Sequence, residues 1–199
     1  WNDAMMLTSG ELTNNGAIAA QRSVAEEARE QATNTGMMIA RGGNLTLSGC
    51  GVSIGDFVGA AGLLRVQASS GLTNMGTIFG GGGATVLAGD DLSNRGGQIG
   101  ATSGTVVATA GGWLDDIGGR IVAQGGDTTL AALGFVNQSG IFQASGGLHL
   151  TGDTLDNRGG TVLASGGSVV LTSNDNAPGA LQNGNGTIQA AGDVTAAFS

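Results

Sequence analysis

The chain has 199 residues, of which 40 are glycine and one is proline, and its formal net charge is −8. One proline excludes collagen, which needs abundant proline in a three-residue period, and one cysteine, Cys50, excludes an intramolecular disulfide. Lysine is absent and the seven basic residues are spread singly, so the chain lacks the basic patch that binds nucleic acid or an anionic membrane surface.

A short pattern, Leu-x-Asn-x-(x)-Gly-x-Ile-x-Ala, recurs along the chain. It is clearest in Leu92-Ser-Asn-Arg-Gly-Gly-Gln-Ile-Gly-Ala101 and in Leu155-Asp-Asn-Arg-Gly-Gly-Thr-Val-Leu-Ala164. With the looser copies included, the pattern begins at residues 12, 32, 52, 72, 92, 114, 135, 155 and 181. A repeat of about 20 residues is typical of a solenoid, in which each copy is one turn of a continuous body.

The second half of each repeat begins with Gly-Gly or Gly-Asp and continues with a β-forming run, as in Ala123-Gln-Gly-Gly-Asp-Thr-Thr-Leu130. Apolar residues alternate with small polar residues in both halves, which predicts short strands with one buried face. No segment of helical period lies between them. The sequence therefore predicts an all-β fold, a right-handed parallel β-helix of about nine coils of ~20 residues, with Leu, Ile and Val columns inside.

Two segments depart from the pattern. Residues 22–31 are rich in helix-forming residues, and Ser23 and Glu26 have the spacing of a capping box. They predict either a short surface helix or an irregular side of one coil. Residues 172–179 lengthen one repeat, and their Asn, Pro and Gly predict a protruding loop. Residues 1–199 are otherwise expected to form a single β-helix segment of a longer repeat protein.

Asparagine recurs at the third position of the repeat. Its side chain tolerates the left-handed backbone conformation of a corner, and amides stacked at strand spacing hydrogen-bond to one another. The pattern predicts a side-chain ladder that is weakest in the coil beginning at Val52, where asparagine is missing. The predicted members are Asn14, Asn34, Asn74, Asn94, Asn137, Asn157 and Asn183, with Asp116 in the same position.

Residues that carry chemistry in other proteins are few and isolated. His149 lies between two predicted inward leucines, so we expect it to point outward without a partner for a metal ion. Cys50 is interpreted as an inert thiol, buried or in a turn, and Trp1 and Trp113 as packing residues. The Gly-Asp pairs lack the nine-residue period of calcium-binding β-rolls. We therefore predict no catalytic, cofactor-binding or metal-binding residue, and no cofactor.

Two other functions stay open at the level of sequence. The acid pairs Asp90–Asp91 and Asp115–Asp116 are compatible with a carbohydrate-active β-helix enzyme, a lyase or hydrolase, because such enzymes cluster carboxylates beside a groove. No lysine or tyrosine accompanies them. A β-helical phage tail fibre, which would be an intertwined trimer, is the second alternative.

The full pattern, Leu-x-Asn-x-Gly-Gly-x-Ile-x-Ala-x-Gly-Asp-x-x-Leu, resembles the haemagglutinin repeat of the filamentous haemagglutinin family, most clearly over residues 92–108 and 155–171. That family includes two-partner secretion adhesins and contact-dependent growth inhibition toxins. The resemblance implies a structural shaft in a secreted or cell-surface virulence filament of a Gram-negative bacterium, which holds binding or toxin modules away from the cell. It also implies an outer-membrane transporter as the export partner, and a receptor or glycan on a host or neighbouring cell as the target.

Overall fold

The structure, a computed structural model, describes residues 4–174 and 179–197. Within these ranges no helix is long and apolar enough to cross a membrane. Instead, short strands follow one another around each coil. In chain order they are β1 (Ala4–Ser9), β2 (Leu12–Asn14), β3 (Ala17–Ala20), β4 (Ser23–Ala28), β5 (Gln31–Asn34), β6 (Met37–Ala40), β7 (Leu45–Gly49), β8 (Gly51–Ile54), β9 (Phe57–Ala60), β10 (Leu63–Ala68), β11 (Leu72–Asn74), β12 (Thr77–Gly80), β13 (Gly83–Ala88), β14 (Leu92–Ser93), β15 (Gln98–Ala101), β16 (Val106–Ala110), β17 (Trp113–Asp115), β18 (Arg120–Ala123), β19 (Thr128–Ala131), β20 (Gly134–Val136), β21 (Ile141–Ala144), β22 (Leu148–Thr151), β23 (Thr154–Asp156), β24 (Thr161–Ala164), β25 (Val169–Thr172), β26 (Ala180–Gln182), β27 (Thr187–Ala190) and β28 (Val194–Ala197).

Each coil contributes one strand to each of three parallel sheets, which we name sides A, B and C. Side A contains β1, β4, β7, β10, β13, β16, β19, β22, β25 and β28 in that spatial order. Side B contains β2, β5, β8, β11, β14, β17, β20, β23 and β26, and side C contains β3, β6, β9, β12, β15, β18, β21, β24 and β27. Equivalent strands of successive coils are therefore hydrogen-bonded neighbours, with a spacing of about 4.8 Å.

The register of side B confirms each of the nine predicted coil starts. Leu72 pairs with Val52 on one side and with Leu92 on the other. Even across the longest repeat, Leu155 pairs with Leu181. The predicted fold class, a right-handed parallel β-helix of about nine coils, is confirmed.

The core consists of columns in which one apolar residue from each coil lies on its equivalent from the next. Side B supplies a leucine-rich column, and side C supplies one column of larger aliphatic residues and one of alanines. Phe135 and Phe142 occupy two of these columns in the same coil, and their rings meet edge to face at 6.2 Å. Because no coil buries its inner face alone, the coils stabilise one another as nearest neighbours.

The prediction of a helix or an irregular side over residues 22–31 is wrong. Residues Ser23–Ala28 form β4, a regular strand of side A that pairs with β1 below and β7 above. Helix propensity differs by only a few tenths of a kcal/mol among such residues, and two parallel neighbours in register outweigh it.

The extra length predicted at residues 172–179 lies between β25 and β26, and residues 175–178 are outside the described residues. The loop prediction therefore stays a prediction. The residue that leads into this segment is held by the coils beneath it, because the Asn174 amide donates to the Ala132 carbonyl at 2.8 Å. Its backbone N–H donates to Asp153 Oδ1 at 3.0 Å.

One carboxylate points into the core. Glu26 is only 1% exposed and occupies the inward column of side A, in register with Leu7 below and Leu47 above. Neither carboxylate oxygen has a hydrogen-bond partner among the described residues. Burial raises the pKa of Glu26, so the folded chain binds a proton there more tightly than the unfolded chain does.

We predict that Glu26→Leu raises the free energy of unfolding by about 1–3 kcal/mol at pH 7, because an aliphatic side chain replaces an unpaired buried acid. The raised pKa means that wild-type stability falls as pH rises above the ordinary glutamate value of about 4.3. The gain should therefore shrink at pH 4. Urea unfolding at both pH values measures it.

The matched control is Glu27→Leu at the neighbouring exposed position, which should change stability by less than about 0.5 kcal/mol. Equal effects of the two substitutions would contradict the inward placement of Glu26.

Candidate functional site: a buried asparagine ladder

The most specific feature of the repeat is a file of polar side chains inside the corner between sides B and C. Side B ends at this residue in the early coils and one residue before it from β14 onward. Alternation from the inward apolar residue two positions earlier turns the polar side chain inward as well. Asn34, Asn74, Asn94, Asn137 and Asn157 have no exposed surface. The predicted column therefore exists, and it places amides where a polar group without a partner would be costly.

Side-chain hydrogen bonds join successive members of the column. Where two asparagines follow one another, Nδ2 donates to Oδ1 of the next member, at 2.6 Å from Asn14 to Asn34 and from Asn137 to Asn157, and at 2.7 Å from Asn157 to Asn183. Nδ2 also donates to a side C carbonyl of the next coil, for example from Asn137 to Thr161 at 3.1 Å. That second bond fixes which way the amide faces. The predicted ladder is confirmed.

The left-handed backbone conformation is not at the ladder asparagines, contrary to the reason that we gave for their choice. It lies two residues later, at Gly96, Gly118, Ser139, Gly159 and Asn185, with φ between 55° and 67°. These later coils have one more residue at the corner than the early ones, and the extra residue closes a turn whose third position needs positive φ. Asparagine is chosen in the ladder for its amide alone.

The glycine that follows this turn is packed against the ladder. A methyl group added to Gly160 would lie 2.7 Å from Asn157 Oδ1 and 3.0 Å from Asn137 Nδ2, and would overlap the Asn137 carbonyl. Gly97 and Gly186 meet ladder atoms in the same way. The paired glycine of the repeat thus makes room for the amides. This role was not predicted from the sequence, although the Asn-x-Gly-Gly spacing indicates it.

The ladder is interrupted where the sequence lacks asparagine. Ile54 takes the ladder position between Asn34 and Asn74. The Asn34 amide donates to the Gly36 carbonyl of its own coil at 2.6 Å and to the Phe57 carbonyl of the next coil at 3.3 Å. Asn74 Oδ1 is left buried without a partner. The predicted weak point of the column is therefore present.

Asp116 continues the ladder in place of asparagine. It is fully buried, and Asn94 Nδ2 donates to its Oδ1 at 2.5 Å. Its other oxygen, Oδ2, has no partner, and neither does Oδ1 of Asn137 above it. Burial is the main reason that the pKa of Asp116 lies well above its ordinary value, and the Asn94 hydrogen bond opposes that shift.

The acid pair Asp115–Asp116 does not form a shared catalytic cleft. Asp115 lies on the outer face and forms an ion pair with Arg95 at 2.5 Å, whereas Asp116 lies inside the coil. In the other pair, Asp91 accepts the Trp113 backbone N–H at 2.7 Å. Glycoside hydrolysis needs two carboxylates that face one sugar, whereas Asp115 faces outward and Asp116 faces the interior of the coil.

A second ion pair lies further along the same side. Arg158 Nη2 is 2.6 Å from Asp156 Oδ2, and Gln138 Nε2 donates to the same oxygen at 2.7 Å. These hydrogen bonds hold the pKa of Asp156 well below its usual range. The carboxylate is therefore ionised and saturated by donors, and it orders the corner of its coil.

The isolated candidates lie apart from one another. His149 points outward between buried Leu148 and Leu150, as predicted. Cys50 is an exposed turn thiol, and Trp113 is 45% exposed with its ring over Gly134 of the next coil. Across residues 4–174 and 179–197, no three His, Cys, Asp or Glu side chains come together as a metal site.

Comparison with known proteins gives one match. A family model described as the haemagglutinin repeat matches residues 4–49, 59–118 and 114–197. The stretch between the first two matches, residues 50–58, contains Ile54, where the ladder is interrupted. No curated protein and no solved structure matches the chain.

We predict that Asn157→Ala lowers the free energy of unfolding by about 2–4 kcal/mol, because it leaves buried groups of Asn137 and of the next coil without partners. Urea unfolding followed by circular dichroism measures the loss. In the control Asn15→Ala, an exposed amide that accepts one bond from Thr35 is removed, and the loss should be below about 1 kcal/mol. Similar losses in both variants would argue against the ladder as a source of stability.

Proposed function

The chain belongs to the haemagglutinin repeat family, and from this membership we propose that it is a shaft segment of a large secreted or cell-surface exoprotein of a Gram-negative bacterium. In this role it acts as a spacer that holds binding or toxin modules away from the cell. The observation that carries the proposal is the continuous register of three parallel sheets over all nine coils. The repeated residues are used for stacking coil upon coil.

The distribution of charge supports the spacer role. The two ion pairs of side B each join an arginine to an acid within one coil or between adjacent coils, so neighbouring charges compensate locally. The net charge of −8 with no lysine keeps such a rod from adhering to anionic surfaces. A spacer needs these properties, whereas a catalytic groove needs charges concentrated at one place.

The single cysteine and the contacts between neighbouring coils suit export through an outer-membrane transporter partner. Only one cysteine is present, so no internal disulfide forms before the chain has crossed. Each coil pairs only with the coils next to it, so folding can proceed coil by coil as the chain emerges. Two-partner secretion and a role in adhesion or contact-dependent inhibition are part of this proposal, with a receptor or glycan of another cell as the target.

The spacer function predicts that length is a sum of equal coils. Spin labels are placed at Glu30→Cys and Leu133→Cys in a Cys50→Ser background. Both positions lie in one corner column, and backbone hydrogen bonds connect them through the intermediate positions Cys50, Ser70, Asp90 and Gly112. Five steps of ~4.8 Å give a separation of about 24 Å. Removal of the single coil 72–91 should shorten the mean distance by about 4.8 Å and leave the chain folded.

Pulsed electron paramagnetic resonance measures both distances. The control deletion, residues 72–81, removes half a coil and destroys the register on all three sides, so it should give a broad distance distribution and no cooperative unfolding. An unchanged distance after removal of 72–91, or loss of folding in that variant, would contradict the spacer function.

A further inference from the structure

One rung of the ladder joins two oxygen atoms where every intact rung joins a nitrogen to an oxygen. A methyl group placed on Gly140 would lie 2.5 Å from Asn137 Oδ1 and 3.0 Å from Asp116 Oδ2. The equivalent point on Gly160 lies 2.7 Å from Asn157 Oδ1 and 3.0 Å from Asn137 Nδ2, and those two atoms are hydrogen-bonded at 2.6 Å. Asp116 Oδ2 therefore stands where the ladder requires a donor.

The two facing oxygens are both buried, and neither has a hydrogen-bond partner. The nearby backbone of Ile141 favours the ionised form of Asp116, but its N–H donates to the Gly119 carbonyl at 3.0 Å. An ionised Asp116 would place a negative charge against the amide oxygen of Asn137 in a site without water-exposed surface. That arrangement is far less favourable than a hydrogen bond between two neutral groups. A single proton between the two atoms satisfies both of them at once.

Rotation of the Asn137 amide does not remove the conflict. Asn137 Nδ2 donates to Asn157 Oδ1 and to the Thr161 carbonyl. If Asn137 were reversed, its oxygen would face both of these acceptors, and Asn157, which donates to the Thr187 carbonyl, would meet the same conflict in turn. Backbone carbonyls thus fix the direction of the amides above Asp116.

We propose that Asp116 is held as a neutral carboxylic acid, whose O–H on Oδ2 donates to Asn137 Oδ1 and so completes the ladder with a bound proton. The site makes the joint between the coil that begins at Leu114 and the coil that begins at Phe135 sensitive to pH. Protonation of Asp116 strengthens this joint, and ionisation of Asp116 as pH rises weakens it.

The charged groups near the site act on Asp116 in opposite directions, and their effects are smaller than that of burial. Asp115, on the same coil, disfavours a second negative charge, and it is itself paired with Arg95. Arg120 favours the carboxylate, but its effect is the smallest of those acting on Asp116. In the coil above, the corner residues Gln138 and Ser139 are neutral. Desolvation therefore dominates, and the pKa of Asp116 is raised.

The sign of the pH effect follows from the proton count. Between the aspartate pKa of the unfolded chain, about 3.9, and the higher value in the folded chain, the folded state holds one proton that the unfolded state has lost. In that range the folding equilibrium constant falls about tenfold per pH unit as pH rises. Above the folded pKa the dependence disappears and the penalty stays constant.

The test compares Asp116→Asn with Asp115→Asn, which removes the same charge from the adjacent outward position. Both are made in a Glu26→Leu background, so that the second buried acid does not contribute. We expect Asp116→Asn to stabilise the chain at pH 8, with an unfolding equilibrium constant lower by about tenfold or more. It should also abolish the fall of stability with rising pH that the buried proton causes. Asp115→Asn should retain that slope. Urea unfolding between pH 4.5 and 8.5 measures both.

A direct reading of the proton is independent of stability. The full 199-residue chain is labelled with ¹³C at aspartate, and the NMR signal of the Asp116 side-chain carboxyl carbon is assigned as the one that is lost in Asp116→Asn. At pH 6 this signal should have the chemical shift of a protonated acid. A carbon chemical shift typical of an ionised carboxylate would overturn the proposal. It would indicate instead that the ladder amides above Asp116 are reversed. An Asp116→Asn chain that is no more stable than wild type at pH 8 would also overturn it.

Discussion

Parallel pairing between equivalent residues of successive coils is the constraint on which the rest of this structure depends. Leu72 pairs in register with Val52 below and Leu92 above. The residue two positions later in each coil therefore also lies on its equivalents in the coils below and above. The same register builds the aliphatic columns and the amide ladder. A shift of one residue would turn both outward, so the hydrophobic and polar interiors fix the register together.

The polar interior is more demanding than the apolar one. An apolar column accepts Val52 or Phe135 in place of leucine, since packing tolerates changes of shape when neighbours adjust. A ladder position needs a donor on one side and an acceptor on the other. Ile54 removes both and leaves Asn74 Oδ1 unpaired, whereas Asp116 keeps the acceptor and lacks the donor. Glu26 shows the converse, a polar group placed in an apolar column with no partner.

This difference between inward and outward positions agrees with both the family membership and the proposed spacer function. The positions that recur along this chain are inward leucines, ladder asparagines, corner glycines and the alanine at the end of side C, and all of them serve stacking. Outward positions such as His149, Trp113 and Arg65 vary from coil to coil. A rod built in this way adds length by repeating one unit, and its surface is free to differ along that length.

The sequence by itself determined the period, all nine coil starts, the apolar columns and the asparagine file, because each is a repeated pattern that survives averaging over coils. Tertiary structure alone decided what happens where one coil departs from the rest. Residues 23–28 form a strand because they pair with β1 and β7. The left-handed conformation is at Gly159 and not at Asn157, because the longer corner contains a turn there. The unpaired oxygens of Asp116 and Asn137 were likewise decided by the fold, since a hydrogen bond between coils depends on which atom the next coil places opposite.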